Sequence, residues 1–185
     1  MNQRLKLREE EILSLFAPGG RLECTFKGFE VRKQQEEMLR DVIQTYNSSQ
    51  ISLIEAGTGT GKSLAYLLPA VIWALQNRKA TVISTNTINL QEQLLFKDIP
   101  LIKKVLNCDF KAVLVKGMGN YVCMRKLEDT LDDLDFFQED ERQVLEKIAA
   151  WTRYTKDGSR SNLTFFPKSS TWEKVSAEGD ACTGK

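Results

Sequence analysis

The sharpest chemistry in this sequence lies in Ala56-Gly57-Thr58-Gly59-Thr60-Gly61-Lys62-Ser63. Glycines at alternate positions let a backbone turn its N–H groups inward around an anion, where side chains would intrude. Lys62 places a point charge where β- and γ-phosphates would lie, and Ser63 offers a hydroxyl to Mg2+. The run matches the phosphate-loop pattern, with Ala56 in place of its first glycine. It follows a β-prone run, Ile51–Glu55, and opens a helical one, so a helix dipole adds to the same anion site. A plain glycine turn is the rival reading, but a chance match is on the order of one in a hundred for this length at average residue usage. The loop predicts binding of a nucleoside triphosphate with magnesium.

Two weaker constellations flank it. Upstream, Phe29-Glu30-Val31-Arg32-Lys33-Gln34-Gln35 brings glutamines, whose amides can pair with donor and acceptor on an adenine edge. An ordinary surface-helix start explains the same residues equally well. Downstream, Ser84-Thr85-Asn86-Thr87-Ile88-Asn89-Leu90-Gln91-Glu92-Gln93-Leu94 gathers hydroxyls and amides at the end of an apolar run, a set suited to sugar-phosphate oxygens. Simple helix capping by Thr87 or Asn86 is the competing account.

Other chemistries are excluded. The chain has no histidine, so Ser-His-Asp and Cys-His nucleophile pairs, H-E-x-x-H zinc sites and Cys2His2 fingers are ruled out. Cys24, Cys108, Cys123 and Cys182 form no C-x-x-C pair, and scattered cysteines do not make a disulfide framework. The run Leu64–Leu75 contains Pro69 and is shorter than the roughly 20 apolar residues a bilayer needs. No secretory pattern opens the chain. A cytoplasmic protein is expected, associated with the nucleoid if bacterial.

The elements that must position these groups follow from periodicity. Leu5–Phe16, Gln34–Tyr46, Ser63–Gln76 and Ile88–Lys97 read as helices, the third bent at Pro69 and the fourth stopped by Pro100. Ile51–Glu55, Ala80–Thr85 and Lys111–Val115 read as strands. Such alternation predicts an α/β fold, a parallel sheet with helices on both faces. After Gly117 the strand rhythm ends. Tyr121–Leu134 and Gln138–Tyr154 read as helices, Lys156–Ser161 as a turn, and the remainder has no clear period. Hydrophobic residues make up 42% of 185, enough for a sizeable core. Residues 1–126 carry 18 Lys/Arg against 12 Asp/Glu, and residues 127–185 carry 8 against 13. Glu128–Glu146 is best read as a solvated acidic helix face.

Taken together, Glu55–Ser63, STNTINLQEQL with KDIP behind it, and KGMGNYVCMRKL (Lys116–Leu127) resemble the first motor domain of superfamily-2 DNA helicases, in the DinG-type, XPD-like branch. The resemblance runs from about Phe29 to Cys182. It implies a RecA-like P-loop NTPase core over 29–116, a helical lead-in over 1–28, and the start of a helical iron–sulfur insertion over 117–185. It implies an ATP-dependent DNA helicase translocating 5′→3′. ATP would be held by Gln35 (or Gln34) and by Ala56, Gly57, Thr58, Gly59, Thr60, Gly61, Lys62 and Ser63. Ser63 would hold Mg2+, Lys62 would be catalytic, and Thr85, Asn86, Thr87, Gln91 and Gln93 would contact single-stranded DNA. It places the first ligand of a [4Fe–4S] cluster at Cys123 and the second at Cys182, with Cys24 and Cys108 left structural and the other ligands beyond Lys185. No strand ending in an Asp-Glu pair and no second motor domain with an arginine finger is present, so the resemblance implies an N-terminal fragment, inactive alone. Two alternatives remain: a DinG-like motor coupled to a nuclease without a cluster, and a nucleotide- or DNA-binding module that does not hydrolyse.

Overall fold

The computed structural model describes residues 4–57 and 59–178. It divides into two compact units, Met1–Leu114 and Val115–Lys185.

The first unit is built on helices α1 (Glu9–Phe16), α2 (Arg21–Thr25), α3 (Lys33–Ser48), α4 (Lys62–Asn77), α5 (Ile88–Gln93) and α6 (Ile99–Leu106). Apolar residues at helical spacing make its core: Ile12 and Phe16 of α1, Leu22 of α2, Leu39 and Ile43 of α3, Leu67, Leu68 and Val71 of α4, Ile102 and Val105 of α6. Helix α1 starts four residues later than the periodicity suggests because the preceding backbone is held extended by two asparagines. Asn47 Oδ1 accepts from Leu7 N at 2.7 Å while its Nδ2 donates to Leu7 O at 2.9 Å. Asn77 does the same for Leu5, at 2.7 and 3.1 Å. These bonds satisfy backbone groups that have no ladder to join. Helix α3 ends on Ser49 in the left-handed region (φ 55°), a conformation that asparagine or glycine adopts more readily.

The expected α/β architecture is not what forms. Among the described residues there is no sheet, only isolated antiparallel bridges at Tyr121–Ser159 and Val122–Ser176. Ile51–Glu55, Ala80–Thr85 and Lys111–Val115 run without regular structure, and Ile51 and Leu53 are fully exposed. The RecA-like parallel sheet is therefore overturned by a helical structure. The physical reason is that β-prone composition describes side chains suited to a pleated surface, whereas a strand exists only through hydrogen bonds to a neighbour. None of the three segments joins a ladder among the described residues.

Pro100 does not stop the fourth helix either. After α5 the chain widens into a π-helical stretch, Leu94–Asp98, and continues as α6 with Pro100 in its first turn. Proline is tolerated there because its fixed φ suits the first turn of a helix. Pro69 is likewise accommodated, buried inside the continuous α4.

The second unit contains α7 (Met124–Asp132), α8 (Glu139–Thr152) and α9 (Ser169–Val175). Leu127, Leu145, Ile148, Trp172 and Val175 form its core. Helix α9 lies where the sequence shows no period. Trp172 explains it: the indole is buried and its Nε1 donates to Gly119 O at 2.7 Å. Lys116, next to the unit boundary, is buried and donates to Ser161 Oγ at 2.6 Å and Ser159 Oγ at 3.3 Å.

Candidate functional site

The phosphate-loop residues are brought together with the upstream glutamine. Gly59 (φ 77°) and Gly61 (φ 76°) both occupy the left-handed region, which other residues enter only with strain. They turn the chain into α4, whose first residues are Lys62 and Ser63. Thr60 Oγ1 donates to Gly57 O at 3.0 Å. Lys62 Nζ donates to Ala56 O at 2.6 Å and Gly57 O at 2.7 Å. The ammonium thus rests on the loop's own carbonyls, in the position a phosphate oxygen would compete for. Thr58 lies outside the described residues.

Gln35 is buried on α3, and its Nε2 donates to Gly61 O at 3.0 Å. A Cβ on Gly61 would stand 2.2 Å from that same nitrogen, so Gly61 is required for its backbone angle and for the close approach of Gln35. Gln34 is exposed on the same turn. Between these elements opens a cavity of about 190 Å³, lined by Phe26, Phe29, Arg32, Gln35, Gly59 and Leu64 among others. Two aromatic rings and an amide at the mouth of a glycine loop suit a flat, polar-edged ring bound above a phosphate chain. Arg32 lies in the upstream Phe29–Gln35 run, where spacing alone gives it no role. Its guanidinium comes within 3.7 Å of the space above Gly59, and its charge type was the signal available.

Ser63 is half-buried, with the Tyr66 phenol and the Asp98 carboxyl beside its hydroxyl. Burial pushes the Asp98 carboxyl above the ordinary carboxylate range, against the Gln93 side chain, the Lys97 charge and the Ser63 hydroxyl, which favour its charged form. Burial also raises the Tyr66 phenol, opposed by the Ser63 hydroxyl and assisted by the Asp98 charge. Of these oxygens, the Ser63 hydroxyl is the one at the start of α4, and a hydroxyl oxygen is a donor that suits a hard divalent cation. Asp98 belongs to the KDIP run and was missed because a lone acid between helices carries no pattern.

Of the hydroxyl and amide cluster, Thr87 caps α5, its Oγ1 accepting from Leu90 N at 3.2 Å. Thr85 Oγ1 donates to Thr87 O at 3.0 Å. Asn86 and Gln93 are exposed and Gln91 is half-buried. The capping account thus applies to Thr87 and leaves Asn86 facing solvent.

Cys123 stands half-buried just before α7, in the second unit, its N–H donating to Val175 O at 2.7 Å. Cys182 lies outside the described residues. Cys24 and Cys108 belong to the first unit. Among the described residues no group of three His, Cys, Asp or Glu side chains converges as a metal site. Of the two expected cluster ligands only Cys123 is thus described, and a [4Fe–4S] cluster takes four thiolates.

Residues 28–157 match the family model described as the res subunit of type III restriction enzymes (ResIII). The chain belongs to this family. Within it, the chain is 39% identical over 150 residues to the ATP-dependent DNA helicase YoaA of Haemophilus influenzae, an alignment covering 81% of the chain and 23% of that protein. It is 34% identical over 170 residues to the ATP-dependent helicase DinG of Mycobacterium tuberculosis, covering 83% and 26%. It is 31% identical over 158 residues to the 3′-5′ exonuclease DinG of Bacillus subtilis, covering 83% and 16%. The expected resemblance to DinG-type helicases is borne out. The chain spans about a quarter or less of the length of these relatives. No helix among the described residues is long and apolar enough to cross a membrane.

Proposed function

We propose that this chain supplies the nucleotide-binding part of an ATP-dependent DNA helicase, with ATP on Gly57–Ser63 and single-stranded DNA along Thr85–Gln93. The observation that supports it most is the junction of the left-handed Gly59 and Gly61, Lys62 at the start of α4, and the buried Gln35 amide beside the 190 Å³ cavity. Lys62 would exchange the Ala56 and Gly57 carbonyls for β- and γ-phosphate oxygens. The N–H groups at the α4 N-terminus would face the same anion. Gln35 would read the adenine edge, and Phe26 and Phe29 would cover the base. Magnesium, when bound, offsets phosphate charge, and Ser63 is the residue that would hold it. Thr85, Asn86, Thr87, Gln91 and Gln93 would hold the strand by its backbone, while 5′→3′ travel follows from the DinG resemblance alone.

Support for an iron–sulfur centre is confined to Cys123 within KGMGNYVC and to Cys182, two of the four thiolates that a [4Fe–4S] cluster takes. Iron analysis of anaerobically purified protein, with Cys123→Ser as control, decides the matter. The nuclease-coupled reading is favoured by the name of the B. subtilis relative, and hydrolysis of labelled single strands tests it. The central test is binding of a fluorescent ATP analogue. Lys62→Ala is expected to abolish saturable binding while leaving the helical circular dichroism unchanged, and retained binding would remove the nucleotide from this loop.

A further inference from the structure

The nucleotide reading leaves one buried charged side chain without a purpose. Asp98 is 8% exposed, and its Oδ2 is buried with no hydrogen-bond partner among the described residues. An orphaned buried carboxylate oxygen is costly and calls for a reason. Capping does not supply one, because Asp98 is helical (φ −78°, ψ −41°) and its side chain makes no cap bond to α6. An ion pair does not supply one either, since Asp98 joins no salt bridge among the described residues. Two facts point elsewhere. Asp98 closes the π-helical stretch Leu94–Asp98, a rare widened turn that concentrates at functional sites, and this stretch packs against α4. Its carboxyl group faces the Ser63 hydroxyl and the Gln93 side chain.

We propose that Asp98 is a positioning residue for the cation end of the phosphate loop: its Oδ2, unpaired here, is the acceptor that the Ser63 O–H would take with magnesium bound, so that the hydroxyl's lone pairs face the metal position. A serine hydroxyl has one proton and two lone pairs. With its proton directed to Asp98, the lone pairs are left for the metal. The carboxylate also adds a negative charge just outside the metal's own ligands. Gln93 reaches the same carboxyl from the end of α5, so this acid joins the cation end of the loop to the segment assigned to the DNA strand. The inference rests on the proposal that Ser63 holds magnesium.

The test is the affinity of the chain for a fluorescent ATP analogue, measured in excess Mg2+ and again in EDTA. Replacing an outer partner of a metal ligand commonly costs about 10- to 100-fold in metal affinity. Asp98→Asn is therefore expected to reduce binding about tenfold in Mg2+ and to leave it unchanged in EDTA. Asp98→Ala should show the same selective loss, which guards against an artefact of either variant. In a Ser63→Ala background, Asp98→Asn should have no further effect. Equal losses in Mg2+ and EDTA, or losses that multiply with Ser63→Ala, would overturn the assignment and make Asp98 a packing residue. If wild-type binding is abolished by Lys62→Ala yet indifferent to Asp98, only this inference fails. If the wild type binds no nucleotide, or binds it independently of Lys62, the underlying reading fails and this one with it.

Discussion

Gly61 is the residue on which the loop's shape depends most. Its φ of 76° and the 2.2 Å that would separate a Cβ from Gln35 Nε2 are independent obstacles to any side chain. The left-handed angle alone costs an L-residue roughly 1–2 kcal/mol. Gly61→Ala is expected to lower the thermal midpoint of the first unit by several degrees and to abolish nucleotide binding. Gly57, by contrast, has open space and no positive φ, so Gly57→Ala should leave the midpoint within about a degree. Differential scanning of both variants makes the comparison; equal midpoints would show that the turn does not depend on Gly61. Combining Gly61→Ala with Gln35→Ala should recover only the part of the loss due to crowding.

At the scale of elements, two ties stand out. Asn47 holds both backbone groups of Leu7, and a net hydrogen bond is worth about 1 kcal/mol. Asn47→Ala should therefore destabilise the first unit by roughly 1–3 kcal/mol, counting the partly buried groups left unpaired. Amide exchange at Leu7 should rise well above that at Leu39, and unchanged exchange would place the anchor elsewhere. In the second unit, Glu141 of α8 pairs with Lys174 of α9 at 2.9 Å and accepts from Thr171 Oγ1 at 3.2 Å. The Lys174 hydrogen bond holds the Glu141 carboxyl below the usual range. A depressed acid contributes stability above its unfolded value and loses it as pH falls through its folded one. Protection of α9 amides should consequently weaken as the solution is acidified through the carboxylate range, and Glu141→Gln should flatten that response. An identical acid profile in the variant would assign the loss to other carboxylates.

What the sequence displayed at this scale was local. The glycine loop, Gln35 and the cores of α3 and α4 are legible because spacing along a helix or a tight turn is fixed by neighbouring residues. The expected strands fail on partners, which no short window contains. Helix α9 escaped because a single turn or two, anchored by Trp172 and Val175, leaves no repeat to count. The π stretch escaped too, for Pro100 is an apparent stop whether the chain ends there or merely widens beforehand.

Across the whole chain, charge is divided between a basic stretch over residues 1–126 and an acidic one after it. DNA held by its backbone releases counterions, so affinity for single strands should fall with salt, with a log–log slope of about −0.7 per phosphate neutralised. Binding isotherms on two unrelated sequences at several salt concentrations test this, and a sequence-dependent affinity would count against backbone recognition along Thr85–Gln93.

The extended segments that join no ladder among the described residues have a practical side. Ile51, Leu53, Val82 and Val113 of the first unit expose most or all of their apolar surface, on backbone whose N–H and C=O groups are not spent in a ladder. Such stretches are adhesive: they invite another chain to lie alongside. Colloidal behaviour, more than melting, should then set the concentration at which this polypeptide can be handled. Static light scattering should show attractive self-interaction that grows with protein concentration. Lysine at positions 53 and 82 should suppress it with little change in thermal midpoint, because neither side chain contributes to the core.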